Sequence, residues 1–74
     1  MIEQKFSYHH DFNIGDGWFG NVEWTEENCH YKGTMYVTSE YSEGVAWYAE
    51  LDEYFEDSEE MLEHVERFIK ANNT

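Results

Sequence analysis

The side chains with the most chemical capacity in this chain are carboxylates, and they are unevenly spread. Between Lys32 and Arg67 there is no lysine or arginine, while eleven acids fill the interval: Glu40, Glu43, Glu50, Asp52, Glu53, Glu56, Asp57, Glu59, Glu60, Glu63 and Glu66. Such groups can exchange protons, hold a divalent cation or present an anionic surface. Proton exchange at useful pH needs an enclosed site that shifts a pKa, and a single 74-residue domain has little interior for one. No Ser-His-Asp or Cys-His nucleophile pattern, phosphate loop or dinucleotide fingerprint accompanies the acids. The chain is therefore expected not to be an enzyme.

Metal chemistry finds little support. His9-His10 and Cys29-His30 are adjacent pairs; on a strand their side chains point to opposite faces, and zinc-type spacings such as C-x2-C or H-x3-H are missing. Asp11-x-Asn13-x-Gly15-Asp16-Gly17 starts like a calcium loop but carries Gly15 at the third ligand. Asp16 then stands where glycine is required and Val22 where a bidentate glutamate belongs. A hairpin turn accounts for it better, leaving only loose divalent binding by the carboxylates of residues 50–60. No cofactor or metal is expected.

An anionic surface remains. The net charge is −13 with histidines neutral, beyond the magnitude of about 2–8 that keeps a small domain in solution. Four basic residues against seventeen acids oppose direct binding of nucleic acid. Some acids have local uses. Asp57, Glu59 and Glu60 precede or open a predicted helix, where its dipole favours anions by about 0.3–1 kcal/mol each. Glu63 precedes Arg67, and Glu66 precedes Lys70, by four residues, which is worth about 0.2–0.5 kcal/mol per pair. Glu40, Glu43, Glu50, Asp52, Glu53 and Glu56 have no such sequence neighbour.

These acids suggest mimicry of nucleic acid. Proteins that bind DNA draw much of their affinity from phosphate contacts, and a rigid row of carboxylates can occupy such a basic channel. Glu50 and Asp52, two apart on a strand, project to one side about 6.6 Å apart, comparable to successive phosphates, and the helix start is expected to extend the row. In size and charge the chain resembles the small acidic inhibitors encoded by phages, including anti-restriction and anti-CRISPR proteins. The expected partner is the basic surface of a DNA- or RNA-binding protein. The expected binding residues are Glu40, Glu43, Glu50, Asp52, Glu53, Glu56, Glu59 and Glu63, with Tyr41 and Tyr48 as anchors. The alternative is a non-enzymatic interaction or assembly module, such as a homodimer through an aromatic sheet face (Phe19, Tyr36 and Tyr48 fall outward by alternation), with the acid serving solubility.

The elements that must position these groups read as a four-stranded antiparallel β-meander with one C-terminal amphipathic helix packed on one face, an α+β fold. Residues 2–12 alternate, with Ile2, Phe6, Tyr8 and Phe12 on one side. Asn13 to Gly17 contains Asp-Gly, a strong hairpin signal. Trp18, Val22 and Trp24 form the next inward set, with Gly20 marking a bulge or close approach. Glu26-Glu27-Asn28 reads as a turn in which Asn28 tolerates positive φ. Tyr31, Met35 and Val37 face inward on the third run, and Ser39 to Gly44 reads as a third turn. Val45, Trp47, Ala49 and Leu51 then alternate with Ala46, Tyr48, Glu50 and Asp52. A strand is preferred there, although Val45, Tyr48, Leu51 and Phe55 also fit a helical stripe. Asp57 with Glu60 resembles a capping box. Met61, Leu62, Val65, Phe68 and Ile69 form a helical stripe, and Asn72-Asn73 stops it. The stretch from Tyr48-Ala49-Glu50-Leu51 through Asp57-Ser58 into the helix resembles the strand-to-capped-helix segment of HicB-like antitoxin domains over about a third of the chain; the motif is too general to imply a function.

Three Trp, six Tyr and five Phe supply a dense core and separate the chain from a disordered acidic tail. One cysteine excludes an internal disulfide. No apolar segment follows Met1 as a signal peptide would, and none is long enough to span a bilayer. A cytoplasmic location is expected, with no membrane partner.

Overall fold

The structure, a computed structural model, describes residues 6–72. Strands β1 (Tyr8–Gly15), β2 (Trp18–Glu27), β3 (His30–Ser39) and β4 (Ser42–Tyr54) are followed by helix α1 (Ser58–Ala71). The strands pair antiparallel in the order β1-β2-β3-β4, giving the expected meander. Residues 45–54 belong to β4, so their alternation prevails over the competing helical stripe. Strand β1 begins at Tyr8, and Phe6 and Ser7 precede it; the earlier part of the expected alternation, with Ile2, Glu3 and Lys5, lies outside the described residues.

Short turns fix the register. Asp16 and Gly17 have φ of 53° and 79°, and Asn28 and Cys29 have φ of 53° and 66°. Two successive left-handed residues are the hallmark of a two-residue hairpin whose twist matches its strands. Asn28 tolerates this conformation; Cys29, with no local hydrogen-bonding group of that kind, is an unusual occupant. The third connection is tighter than expected, with Ser39 pairing directly with Ser42.

Register then assigns the faces. Val22 stands opposite Met35, Trp24 opposite Gly33, Gly33 opposite Leu51, and Val37 opposite Trp47. Val22, Trp24, Tyr31, Met35, Val37 and Leu51 thus share one side and are buried together with Met61, Val65 and Ile69 of α1. Complete burial of such a side chain stabilises by about 1.5–3 kcal/mol. Two glycines permit the close packing. A Cβ at Gly20 would strike the Phe12 ring, and one at Gly33 would strike the Glu23 carbonyl and come within 2.7 Å of the Trp24 Cα.

The helix is capped as its sequence suggests. Asp57 accepts from the Glu60 amide at 2.9 Å, while the Glu60 carboxylate reaches back to the Glu56 amide at 2.9 Å. Four residues later in chain order from Phe68, Asn72 donates its side-chain amide to the Phe68 carbonyl at 2.8 Å. The described chain measures 37 × 33 × 15 Å; its short dimension holds one sheet and one helix layer.

Two residues depart from simple alternation. Val37 pairs with Trp47 but Thr38 pairs with Val45, so Ala46 is an extra residue in β4. This bulge moves Val45 to the side away from the helix, where it is 53% exposed; such an insertion reverses the facing of what precedes it. Phe6, grouped by alternation with Tyr8 and Phe12, precedes β1 and lines a depression with Thr25, Lys32, Thr34, Glu50 and Asp52. Lying ahead of the strand, it is not held to the strand's period.

Candidate protein-binding face

Among the described residues no helix covers the other side of the sheet, and its side chains form rows set by the register. One row runs Asp11, Asn21, Tyr36, Tyr48; the next runs His9, Glu23, Thr34, Glu50; a third runs Thr25, Lys32, Asp52. Asn21 is buried despite being polar. Its amide donates to Thr38 Oγ1 at 3.0 Å and reaches the carbonyls of Phe19 and Tyr36 at 3.3 and 3.4 Å, so this part of the face is rigidly tied.

Beside it the Tyr36 hydroxyl donates to Glu23 Oε2 at 2.9 Å. Burial, the hydrogen bond to Glu23 and the charges of Glu23 and Asp11 push the Tyr36 pKa up to about 12. Glu23, Thr34, Tyr36, Val45 and Tyr48 line an open depression of about 400 Å³. Tyr48 is 71% exposed at its edge.

The expected binding residues are distributed over two sides of the molecule. Tyr48, Glu50 and Asp52 share the uncovered face. Glu53 lies on the helix side, where its Oε2 is 3.3 Å from His64 Nε2. Glu59 and Glu63 are exposed on α1, and Glu56 is exposed just before it. The row of Glu50 and Asp52 therefore does not run on into the helix start: one residue further along a strand is the opposite face, and the helix packs there. Glu40 and Tyr41 form the β3–β4 turn and lean on the first hairpin. The Glu40 amide donates to the Gly17 carbonyl at 3.0 Å, and a Cβ on Gly17 would come within 2.8 Å of the Tyr41 ring. Glu43 is exposed in the irregular start of β4.

Histidines supply partners for three of the acids, two of them from distant parts of the chain. His30 Nε2 lies 2.5 Å from Asp52 Oδ1, and its ring stacks on Tyr54 at 4.3 Å. The hydrogen bond from His30 holds the Asp52 carboxyl below its ordinary pKa, reinforced by the charges of His30 and Lys32 and opposed by desolvation. His9 pairs with Asp11 at 2.8 Å. Of the two helical pairs expected from spacing, Glu66–Lys70 forms at 2.9 Å, and among the described residues no ion pair joins Glu63 to Arg67. Asp52 and Glu53 thus have structural partners, and part of the acidity that looked unexplained is accounted for.

Glu23 and Val45 were absent from the expected binding set. Alternation does place Glu23 outward, but its link to Tyr36 is a diagonal contact between neighbouring strands, visible only once register is known. Val45 depends on the bulge. Among the described residues no cluster of three or more His, Cys, Asp or Glu is placed to hold a metal ion, and no helix is long and apolar enough to cross a membrane.

Comparison with known proteins adds lineage. The chain is 44% identical over 68 residues to an uncharacterized 8.2 kDa protein of the Gp46-Gp47 intergenic region of Enterobacteria phage T4, covering 92% of this chain and 96% of that protein. No solved structure matches. Residues 4–72 match the model of a family of unknown function, DUF5487. With nearly its whole length matched and a phage relative of almost the same extent, the chain belongs to the DUF5487 family.

Proposed function

We propose that this protein is a non-enzymatic, cytoplasmic inhibitor that docks on the basic surface of a nucleic-acid-binding protein and occupies the place of DNA or RNA, in the manner of a phage anti-restriction or anti-CRISPR protein. The observation that carries the reading is the uncovered sheet face. It sets Asp11, Glu23, Glu50 and Asp52 around exposed aromatic side chains. With Lys32 as the one lysine in its rows, the face is predominantly negative, which steers a basic partner and rejects acidic ones, and Tyr is favoured as an anchor in interfaces. The reading is supported by lineage to the extent that the relative is a phage protein. The acids at the turn corner and on α1 add long-range attraction.

Salt dependence tests this. Binding to the target weakens by more than about tenfold between 50 and 200 mM salt, as phosphate-like contacts do, and DNA competes for the same target. Glu50→Lys combined with Asp52→Lys abolishes the complex. A complex insensitive to salt, or one that survives the double substitution, refutes mimicry. The rival is an assembly module in which a second copy covers the face, favoured by the cluster of Tyr36, Val45 and Tyr48. It predicts a concentration-dependent dimer in sedimentation that Tyr36→Ala or Tyr48→Ala dissociates. Four carboxylates on that same face oppose self-association.

A further inference from the structure

We infer that the depression between Glu23 and Tyr48 seats a single arginine side chain of the basic partner, and so is the anchoring pocket of the anionic face; this rests on the docking role proposed above. The depression has apolar walls in the Tyr36 and Tyr48 rings and Val45, and one carboxylate wall group, Glu23. Glu23 is half-buried. Its Oε2 is held by the Tyr36 hydroxyl at 2.9 Å, which fixes the carboxylate and leaves Oε1 without a hydrogen bond among the described residues. Glu50 lies in the same row beyond Thr34, and Asp11 is close enough to act on the Tyr36 phenol. No described lysine or arginine lines the depression; Lys32 is one row away, opposite Asp52.

An aromatic wall beside a fixed carboxylate matches a guanidinium. That group is planar and weakly hydrated, stacks on rings and donates to a carboxylate at the same time. An ammonium is a compact, strongly hydrated charge and makes poorer use of the flat walls. The stem of the arginine lies along Val45 and the Tyr48 ring, its head between Glu23 and the Tyr36 ring.

The test is an NMR titration of the full-length protein with a tetra-arginine peptide and a tetra-lysine peptide at about 0.1 M salt, where long-range attraction is largely screened. The arginine peptide shifts the ring signals of Tyr36 and Tyr48 and the Val45 methyls, and binds more tightly than the lysine peptide. Glu23→Gln weakens it about tenfold, the loss expected for a charge-assisted hydrogen bond. Tyr48→Ala weakens it about fivefold, the loss of a stacked cation. Asp16→Asn in the β1–β2 turn, an exposed charge outside the expected binding set, changes it by less than about twofold. Tyr48 is too exposed for its truncation to unfold the chain, and Gln at position 23 keeps the acceptor for Tyr36. If the peptide binds but shifts residues of α1 or the turn corner, with Glu23→Gln unchanged, the pocket is refuted while anionic docking stands. Equal binding of both peptides at the pocket refutes its preference for arginine. If neither peptide binds and the Glu50→Lys, Asp52→Lys pair leaves target binding intact, the docking role fails as well.

Discussion

On the helix side of the sheet, Val22, Val37, Met61, Val65 and Ile69 have no exposed surface, whereas on the other side Tyr48 keeps 71% of its own and Val45 53%. The same strands build both sides. On the covered side, apolar groups from β2, β3, β4 and α1 converge, and glycines let the layers approach. On the bare side, polar and charged groups are tied into short local contacts, Asn21 to Thr38, Tyr36 to Glu23 and His30 to Asp52, around the exposed Tyr48 and Tyr54. One face holds the fold together; the other is free to carry specificity, because changes there remove little buried area. The acids that structure uses are split between the two regions: Glu53, Asp57, Glu60 and Glu66 at the helix, and Asp11, Glu23, Glu26 and Asp52 on the sheet.

The sharpest way to break this contrast is a matched pair of truncations on β4. Leu51→Ala, on the covered side, is expected to cost about 2–5 kcal/mol, lowering Tm by about 4–8 °C for each of them. Tyr48→Ala, three residues earlier on the bare side, is expected to stay within about 0.5 kcal/mol. Thermal denaturation followed by circular dichroism compares them directly; a similar loss from both would mean that the bare face is packed against something in solution.

A smaller effect probes how the two sides are coupled. Gly33→Ala places a methyl group against the backbone of Glu23 and Trp24. Because backbone cannot swing aside as a side-chain tip can, urea unfolding should show a loss of about 1–3 kcal/mol. Binding by the bare face should weaken too, since Glu23 must shift. A neutral Gly33→Ala would show that β2 and β3 are less tightly apposed than described.

The smallest expected change sharpens the chemistry of the bare face alone. The Tyr36 pKa is raised to about 12, so its proton is held more tightly in the folded chain than in the unfolded one. The resulting stabilisation is complete below the ordinary tyrosine value of about 10 and is lost as pH rises through the folded value. Phenolate absorbance should show Tyr36 ionising late, and Glu23→Gln should lower the pH at which it ionises, leaving the part of the shift that burial causes. An unchanged curve would remove the Glu23 contact from the account.

Much of this was legible from local rules. Asp16-Gly17 and Asn28 announced left-handed turn positions, Asp57 announced the cap, and Met61, Val65 and Ile69 announced the buried stripe, because each depends on residues within a few positions. Alternation placed Glu50 and Asp52 on one face and Tyr36 outward. It misplaced Val45, since a single extra residue at Ala46 resets the period, and it gave no hint that His30 and His64 would meet Asp52 and Glu53 across strand and helix.

By itself, then, the sequence determined the elements, their order and the excess of negative charge, for these follow from spacing along the chain and from composition. Only the tertiary structure decided which carboxylates act together. It set Tyr48, Glu50 and Asp52 beside Glu23 and Tyr36, and it sent Glu53, Glu59 and Glu63 to the helix side. The reason is physical: a side chain's face is fixed by local period, but its neighbours are fixed by register between strands and by the single face on which the helix can bury its apolar stripe.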